Sequence, residues 1–340
     1  MTSRALLYCA GGGIGDSLVA SVVARALRER FSTVDALTLP GHRSTLERVP
    51  DLDGVLVDDG GDEKQLAGVL RERRYDACVV TWATPRTANI PQLARIPMRV
   101  GQARRLYSGR FTERVIVRSE LGDVTSSWAD ILLDYARAIG CTTHDTYPRF
   151  VPTESDVAEA DQLRVTLSLS KGDYIILHPT NAVASKRGIW PTQGWASLAR
   201  ALLQKFGVPV LLTGADSDKQ INEAILRQAQ DDRGTSSIVD VSGRVGIGGF
   251  GALAQRSRAF VGITTGTMHV AAAVGAPTAG IFPFQSDFPD RWGPLGARTA
   301  TIRPTFPCHR GDTKEHCRDY ACIAQLDVPR IVAAVEELIA

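Results

Sequence analysis

Three hundred and forty residues exceed what one ordinary hydrophobic core organises, so two domains are expected. Apolar residues make up 44% and charged residues 22%, which excludes a largely disordered chain, a collagen-like chain and a disulfide miniprotein. Lys plus Arg number 39 against 37 Asp plus Glu, and this near balance argues against a nucleic-acid partner bound by bulk charge. No apolar run approaches the ~20 residues of a bilayer span. The start has only six mostly apolar residues after Arg4, too few for a signal-peptide core. A cytoplasmic location is expected, and six cysteines fit reduced thiols there.

Apolar runs alternate with amphipathic ones along the chain. Ala5 to Ala10 predicts a buried strand, and after the glycines residues 16–30 place Leu18, Val19, Val22, Val23, Ala26 and Leu27 at helical spacing. Residues 33–39 and 54–57 predict strands, 63–74 a helix and 76–81 a strand. The pattern breaks at Pro148-Arg149-Phe150-Val151-Pro152, and a polar, acidic stretch follows. Strands are then predicted at 174–178, 208–213, 237–241, 259–263 and 277–282, with helices at 194–206, 216–230, 251–257, 267–274 and 328–339. This alternation implies an α/β protein with parallel sheets covered by helices on both faces. The expected layout is a first Rossmann-like domain at 1–152, an exposed linker at 153–170, a second Rossmann-like domain at 171–326 and a terminal helix at 327–340.

Ligands of open α/β sheets bind at the carboxyl ends of the strands, and three unusual segments fall there. The first is Gly11-Gly12-Gly13-Ile14-Gly15-Asp16. A glycine loop at a helix start can cradle phosphate with backbone N–H groups. Here an acid replaces the last glycine of the dinucleotide fingerprint, where it would repel a pyrophosphate, and the phosphate loop ending in Gly-Lys-Ser/Thr is absent. Gly13 and Gly15 would instead let an acceptor approach, while the helix start holds Asp16 ionised to accept its proton. The plain structural reading is a cap on a tight turn.

The second segment is His178-Pro179-Thr180-Asn181, followed by Ser185-Lys186-Arg187-Gly188-Ile189-Trp190-Pro191. Cations at a strand end suit a diphosphate, although a solvated basic loop reads the same way. The third runs from Gly262 through Thr264-Thr265-Gly266-Thr267-Met268-His269 into a helix of small residues. Its free N–H groups and hydroxyls could bind an anion, while a lone histidine there also suits simple packing.

Together these segments resemble glycosyltransferase family 9, the ADP-heptose:lipopolysaccharide heptosyltransferases and their relatives. Gly13-Ile14-Gly15-Asp16, Arg99-Val100-Gly101, Lys186 ahead of Trp190-Pro191, Thr265-Gly266-Thr267-Met268-His269-Val270-Ala271 and Arg291-Trp292-Gly293-Pro294 occur in the family's order. The resemblance implies a GT-B architecture, two Rossmann-like domains whose parallel sheets face across a cleft. It implies an acceptor-binding first domain and a second domain that binds a nucleotide diphosphate sugar. The implied reaction is inverting and metal-independent, and needs no cofactor. It moves a heptose or related sugar, from ADP-heptose, to a saccharide or glycolipid acceptor. Asp16 would be the catalytic base. Lys186, Thr180, Asp218 and the run Thr264, Thr265, Gly266, Thr267, Met268 and His269 would bind the donor. Gly13, Gly15, Arg99, Arg104 and Arg105 would bind the acceptor. Two departures stand out: Thr264 replaces the family's acid, and Arg187-Gly188-Ile189 lengthens the lysine-to-tryptophan spacing.

The basic run from Arg99 to Arg118 could meet an anionic, lipid-linked acceptor and bring peripheral contact with the inner face of the membrane. Cys308, His309, His316, Cys317 and Cys322 are metal-ligand types in no standard zinc spacing, so reduced thiols are expected there and no metal. Cys9, Cys78 and Cys141 read as core. Rival readings are a nucleotide-sugar epimerase on the same architecture and a non-catalytic sugar-nucleotide or glycan-binding protein. A dinucleotide oxidoreductase is disfavoured by Asp16.

Overall fold

The computed structural model describes residues 3–180, 190–229, 237–284, 288–305, 317 and 321–340. The chain divides into two compact units, Met1–Val151 and Pro152–Ala340. In the first, strands β1 (Arg4–Tyr8), β2 (Thr33–Thr38), β3 (Gly54–Val57), β4 (Ala77–Val80), β5 (Met98–Gln102) and β6 (Glu113–Val115) alternate with helices α1 (Ile14–Ala20), α2 (Val22–Leu27), α3 (Arg43–Leu46), α4 (Glu63–Glu72), α5 (Pro85–Leu93) and α6 (Trp128–Arg137). The second carries β7 (Ile175–His178), β8 (Val210–Leu212), β9 (Ile238–Asp240), β10 (Ala259–Ile263), β11 (Thr278–Ile281) and β12 (Thr299–Ile302). Its helices are α7 (Glu154–Thr166), α8 (Thr192–Phe206), α9 (Lys219–Ala229), α10 (Ile247–Gln255), α11 (Gly266–Ala273), α12 (Pro289–Trp292) and α13 (Val328–Ile339).

The two sheets share one topology. Their orders are β3-β2-β1-β4-β5-β6 and β12-β11-β10-β7-β8-β9, and the pairs that flank each central strand are parallel. Each sheet starts at its centre, winds outward, and returns to wind the other way. The reversal falls between β1 and β4, in register at Tyr8 and Val80. In the second sheet it falls between β7 and β10, in register at His178 and Gly262. Loops leaving two such strands run to opposite faces and open a crevice at their carboxyl ends. The central strands are covered on both faces, so β1, β4 and β10 are buried along nearly their whole length. Leu6, Tyr8, Leu37 and Val80 anchor one core. Leu177, Trp195, Leu212, Val261 and Ile331 anchor the other.

Two expectations are corrected. Residues 16–30 do not form one helix: Ser21 Oγ donates to Leu18 O at 2.6 Å, and its N–H turns to the same carbonyl at 3.1 Å. That local bond competes with the helical ladder and separates α1 from α2. Residues 153–170 are not an exposed linker, because most of them form α7. Thr153 caps this helix, with Asp156 Oδ2 accepting the Thr153 N–H at 2.7 Å. Its acids brace the helix against α10. Glu159 Oε1 accepts the Gly246 N–H at 3.0 Å, and a Cβ on Gly249 would sit 2.1 Å from Glu159 Oε2. Asp161 joins Arg256 and Arg164. The acidity that reads as a solvated linker therefore serves an inter-helix contact.

Candidate active site

The first site forms at the reversal between β1 and β4. β1 leads to buried Cys9, and Gly11 to Gly13 turn the chain into α1. Gly12 takes φ +66°, a conformation that favours glycine. A Cβ there would lie 2.4 Å from Asp16 Oδ2, and one on Gly11 would lie 2.1 Å from the Trp82 ring. These two glycines thus make room for the chain's own carboxylate and indole. Asp16 is the third residue of α1, and its Oδ2 accepts the Gly13 N–H at 2.7 Å. A recess of about 10 Å³, lined by Cys9, Gly11, Asp16, Thr81, Trp82 and Trp128 among others, opens beside it. That is room for one water-sized group, such as a single hydroxyl.

Asp16 was expected to be held ionised by the helix start. Burial outweighs that effect: desolvation raises its carboxyl above the ordinary value, against the opposing pull of the Gly13 and Asp16 amides and of His42. The result is a stronger proton acceptor than an exposed aspartate. Ser17 Oγ lies 2.7 Å from His42 Nδ1. Burial pushes His42 below its ordinary value although the Asp16 charge pulls it up. His42 and Trp82 carried no motif of their own. Position was the available signal, since each follows the carboxyl end of a strand that flanks β1.

The second site forms at the reversal between β7 and β10. Thr265 precedes α11, with its hydroxyl 2.7 Å from that of Thr267. The Met268 N–H turns back to Thr265 O, and Thr264 N–H is taken by Ile281 O. The first amides of α11 lack intrahelical acceptors, as at any helix start. His269 is buried, and burial holds its imidazole down at about 4. His178 is likewise pushed down to about 4 by burial, and its Nδ1 meets Thr213 Oγ1 at 2.9 Å. Both rings are neutral at neutral pH. Thr180 Oγ1 and His269 Nδ1 are buried without a hydrogen-bond partner among the described residues. Such atoms cost about 1–3 kcal/mol each when left unpaired.

The other expected donor groups divide. Lys186 lies outside the described residues. Asp218 Oδ2 accepts the Ala215 N–H at 2.7 Å and so closes the turn ahead of α9. The Met268 side chain is fully buried, and a Cβ on Gly280 would come within 2.6 Å of its Sδ. It packs on β11, with Pro294 at the same spot. Thus the Thr-Gly-x-x-His and Arg-Trp-Gly-Pro segments meet over Gly280.

Of the acceptor candidates, Gly13 and Gly15 belong to the Asp16 turn. Arg99 is corrected. Its Nε donates to Arg110 O at 2.8 Å and its Nη1 to Ile96 O at 2.6 Å, so it braces its own loop. Arg105 pairs with Glu120 at 2.6 Å. Arg104 is exposed and takes a left-handed backbone, φ +60°. Cys9, Cys78, Cys141 and Cys322 are buried free thiols. No cluster of three metal-ligating side chains occurs among the described residues; Cys308, His309 and His316 lie outside them. A larger recess of about 360 Å³ lies at the edge strand β12, lined by Arg303 and Arg330 among others, and contains none of the motif residues.

Two doubly wound units in one chain, each with polar groups at its strand reversal, are the architecture of the GT-B class. Solved structures share the fold throughout. That of ADP-heptose lipopolysaccharide heptosyltransferase II from Escherichia coli superposes with a TM-score of 0.79 at 21% identity, covering 98% of both chains. A glycosyl transferase family 9 protein from Veillonella parvula gives 0.81 at 17% identity, covering 99% of this chain and 97% of that one. Residues 64–321 match the family model for glycosyltransferase family 9 (heptosyltransferase), and the chain belongs to that family. Lipopolysaccharide heptosyltransferase 2 of Escherichia coli K12 is 25% identical over 316 residues, 89% of each chain.

Proposed function

We propose that this enzyme transfers a heptose from a nucleotide diphosphate sugar, ADP-heptose, to a saccharide or glycolipid acceptor of lipopolysaccharide assembly, with inversion and without a metal. The observation that carries the reading is Asp16, a half-buried carboxylate at the β1–β4 reversal of a family 9 chain, beside a recess the size of a hydroxyl. Asp16 takes the acceptor hydroxyl proton as that oxygen attacks the anomeric carbon. The bond from that carbon to the diphosphate oxygen breaks, and the electron pair leaves with the diphosphate. Lys186 and the first amides of α11 meet the leaving charge. Thr180 and His269 hydrogen-bond the donor with atoms that have no partner among the described residues. Arg104, exposed beside fully exposed Leu106, suits an anionic, lipid-linked acceptor and peripheral contact at the cytoplasmic face of the membrane.

The test is an assay with ADP-heptose and a truncated lipopolysaccharide acceptor, with product stereochemistry read by NMR. Transfer with inverted anomeric configuration, maintained in chelator, is expected. Retained configuration, or activity lost in chelator and restored by Mg²⁺, overturns the mechanism. Conversion of the donor without acceptor would make the protein an epimerase instead.

A further inference from the structure

The loop after β2 brings a second titratable group to the Asp16 helix. His42 closes a single turn, Pro40–His42, and is 7% exposed. Its Nδ1 lies 2.7 Å from Ser17 Oγ, in the first turn of α1. Ser17 Oγ also donates to Cys9 O at 3.3 Å, a carbonyl that accepts from Thr38 Oγ1 at 3.0 Å. The Ser17 hydroxyl thus joins the Cys9 carbonyl and the His42 imidazole in one hydrogen-bonded group. A serine and a histidine at this distance also occur in nucleophilic catalysis. Ser17 is 1% exposed and lines the recess beside Asp16.

Asp16 is the residue before Ser17 in that turn. Its carboxylate is the charge that acts on His42, and His42 is the charge that acts on Asp16. The ions on the neighbouring elements are spent elsewhere. On α3, Arg43 holds Glu47 at 2.7 Å. On α6, which packs against α1 and lends Trp128 and Leu132 to the recess, Asp130 and Asp134 are held by Arg118 and Arg137.

We propose that His42 is a positioning residue for the transfer reaction: through Ser17 it fixes the first turn of α1, and a charge on its imidazole favours the ionised form of the Asp16 carboxylate that receives the acceptor proton. The proposal rests on the reading of Asp16 as the base. An imidazolium favours a neighbouring carboxylate and the carboxylate favours the imidazolium, so the two groups take up protons as a coupled pair. Asparagine at position 42 can still bond Ser17 and never gains a charge. Phenylalanine loses both functions.

The test compares the wild type, His42→Asn and His42→Phe. It measures kcat/KM against pH, and follows the Asp16 carboxyl by ¹³C NMR, its signal identified by its loss in Asp16→Asn. In His42→Asn the acid limb of kcat/KM and the Asp16 titration both move to higher pH, while the donor KM and the melting temperature hold. In His42→Phe the plateau kcat also falls, by about tenfold, as the helix start loses its anchor. Coincident limbs and coincident carboxyl titrations in the wild type and His42→Asn would overturn the proposal. If the carboxyl titration moves and the rate does not follow, the two groups are coupled but Asp16 is not the base, and the catalytic role of His42 falls with it.

Discussion

A carboxylate lifted above its ordinary proton affinity by burial weakens the fold that holds it. For Asp16 the sign is definite: any stability the raised value contributes is present below the unfolded value and is lost as the pH rises through the folded one. At neutral pH the folded protein therefore bears an ionised, half-buried carboxylate as a cost, which a purely structural helix cap would not need. Asp16→Asn removes the charge and keeps an oxygen for the Gly13 N–H. The variant should melt at the wild-type temperature or slightly above it, bind the nucleotide sugar normally, and lose ~10²-fold or more in kcat. Circular-dichroism melts, donor titration and steady-state kinetics on one preparation decide this. Normal turnover would reduce Asp16 to the capping role its sequence position also suits.

At the scale of elements, the sequence separates packing from chemistry unevenly. Covered strands read clearly because both faces are apolar: β4 and β10 lie where the pattern put them. The edge strand β6 does not, since it exposes Glu113 and Arg114 and has no apolar alternation to show. Helix α5 is hidden by Pro91 inside it. Among the motifs, Asp16 and the Thr265–His269 segment were legible as strand-end oddities, whereas His42 reached the site through tertiary packing alone. Arg99-Val100-Gly101 shows the opposite failure, a family element whose visible work here is structural. Arg99 ties three loop carbonyls, and a Cβ on Gly101 would stand 2.3 Å from the ring of buried Phe111. Gly101→Ala should accordingly destabilise the protein by about 1–3 kcal/mol through overpacking, with no change in KM for the acceptor among the molecules that stay folded. Denaturant melts and kinetics at low temperature test this. A raised acceptor KM at unchanged stability would return the element to the binding site.

At the scale of the whole molecule, pH acts on stability through two kinds of buried group in separate windows. Asp58 is held below the usual carboxylate range because Arg86 and Tyr8 outweigh its burial, so its contribution is present above about pH 4 and fades only below it. His178 and His269 act earlier. In the unfolded chain each takes a proton near pH 6.5, and in the folded second unit only near about 4. Between those values the unfolded state binds more protons, so their contribution is complete above about pH 6.5 and falls as the pH drops toward 4. Each ring accounts for roughly 3 kcal/mol over that interval. The melting temperature should therefore decline between pH 6.5 and 4.5, before the carboxylates begin to protonate. His178→Asn keeps a partner for Thr213 Oγ1 and removes one of the two rings, so it should shed about one proton from the slope of stability against pH. Denaturant titrations at pH 7.0, 6.0, 5.0 and 4.5 read that slope directly. Parallel curves for the variant and the wild type would mean that His178 titrates alike in both states, and that the polar end of the second sheet is wetter than its burial indicates.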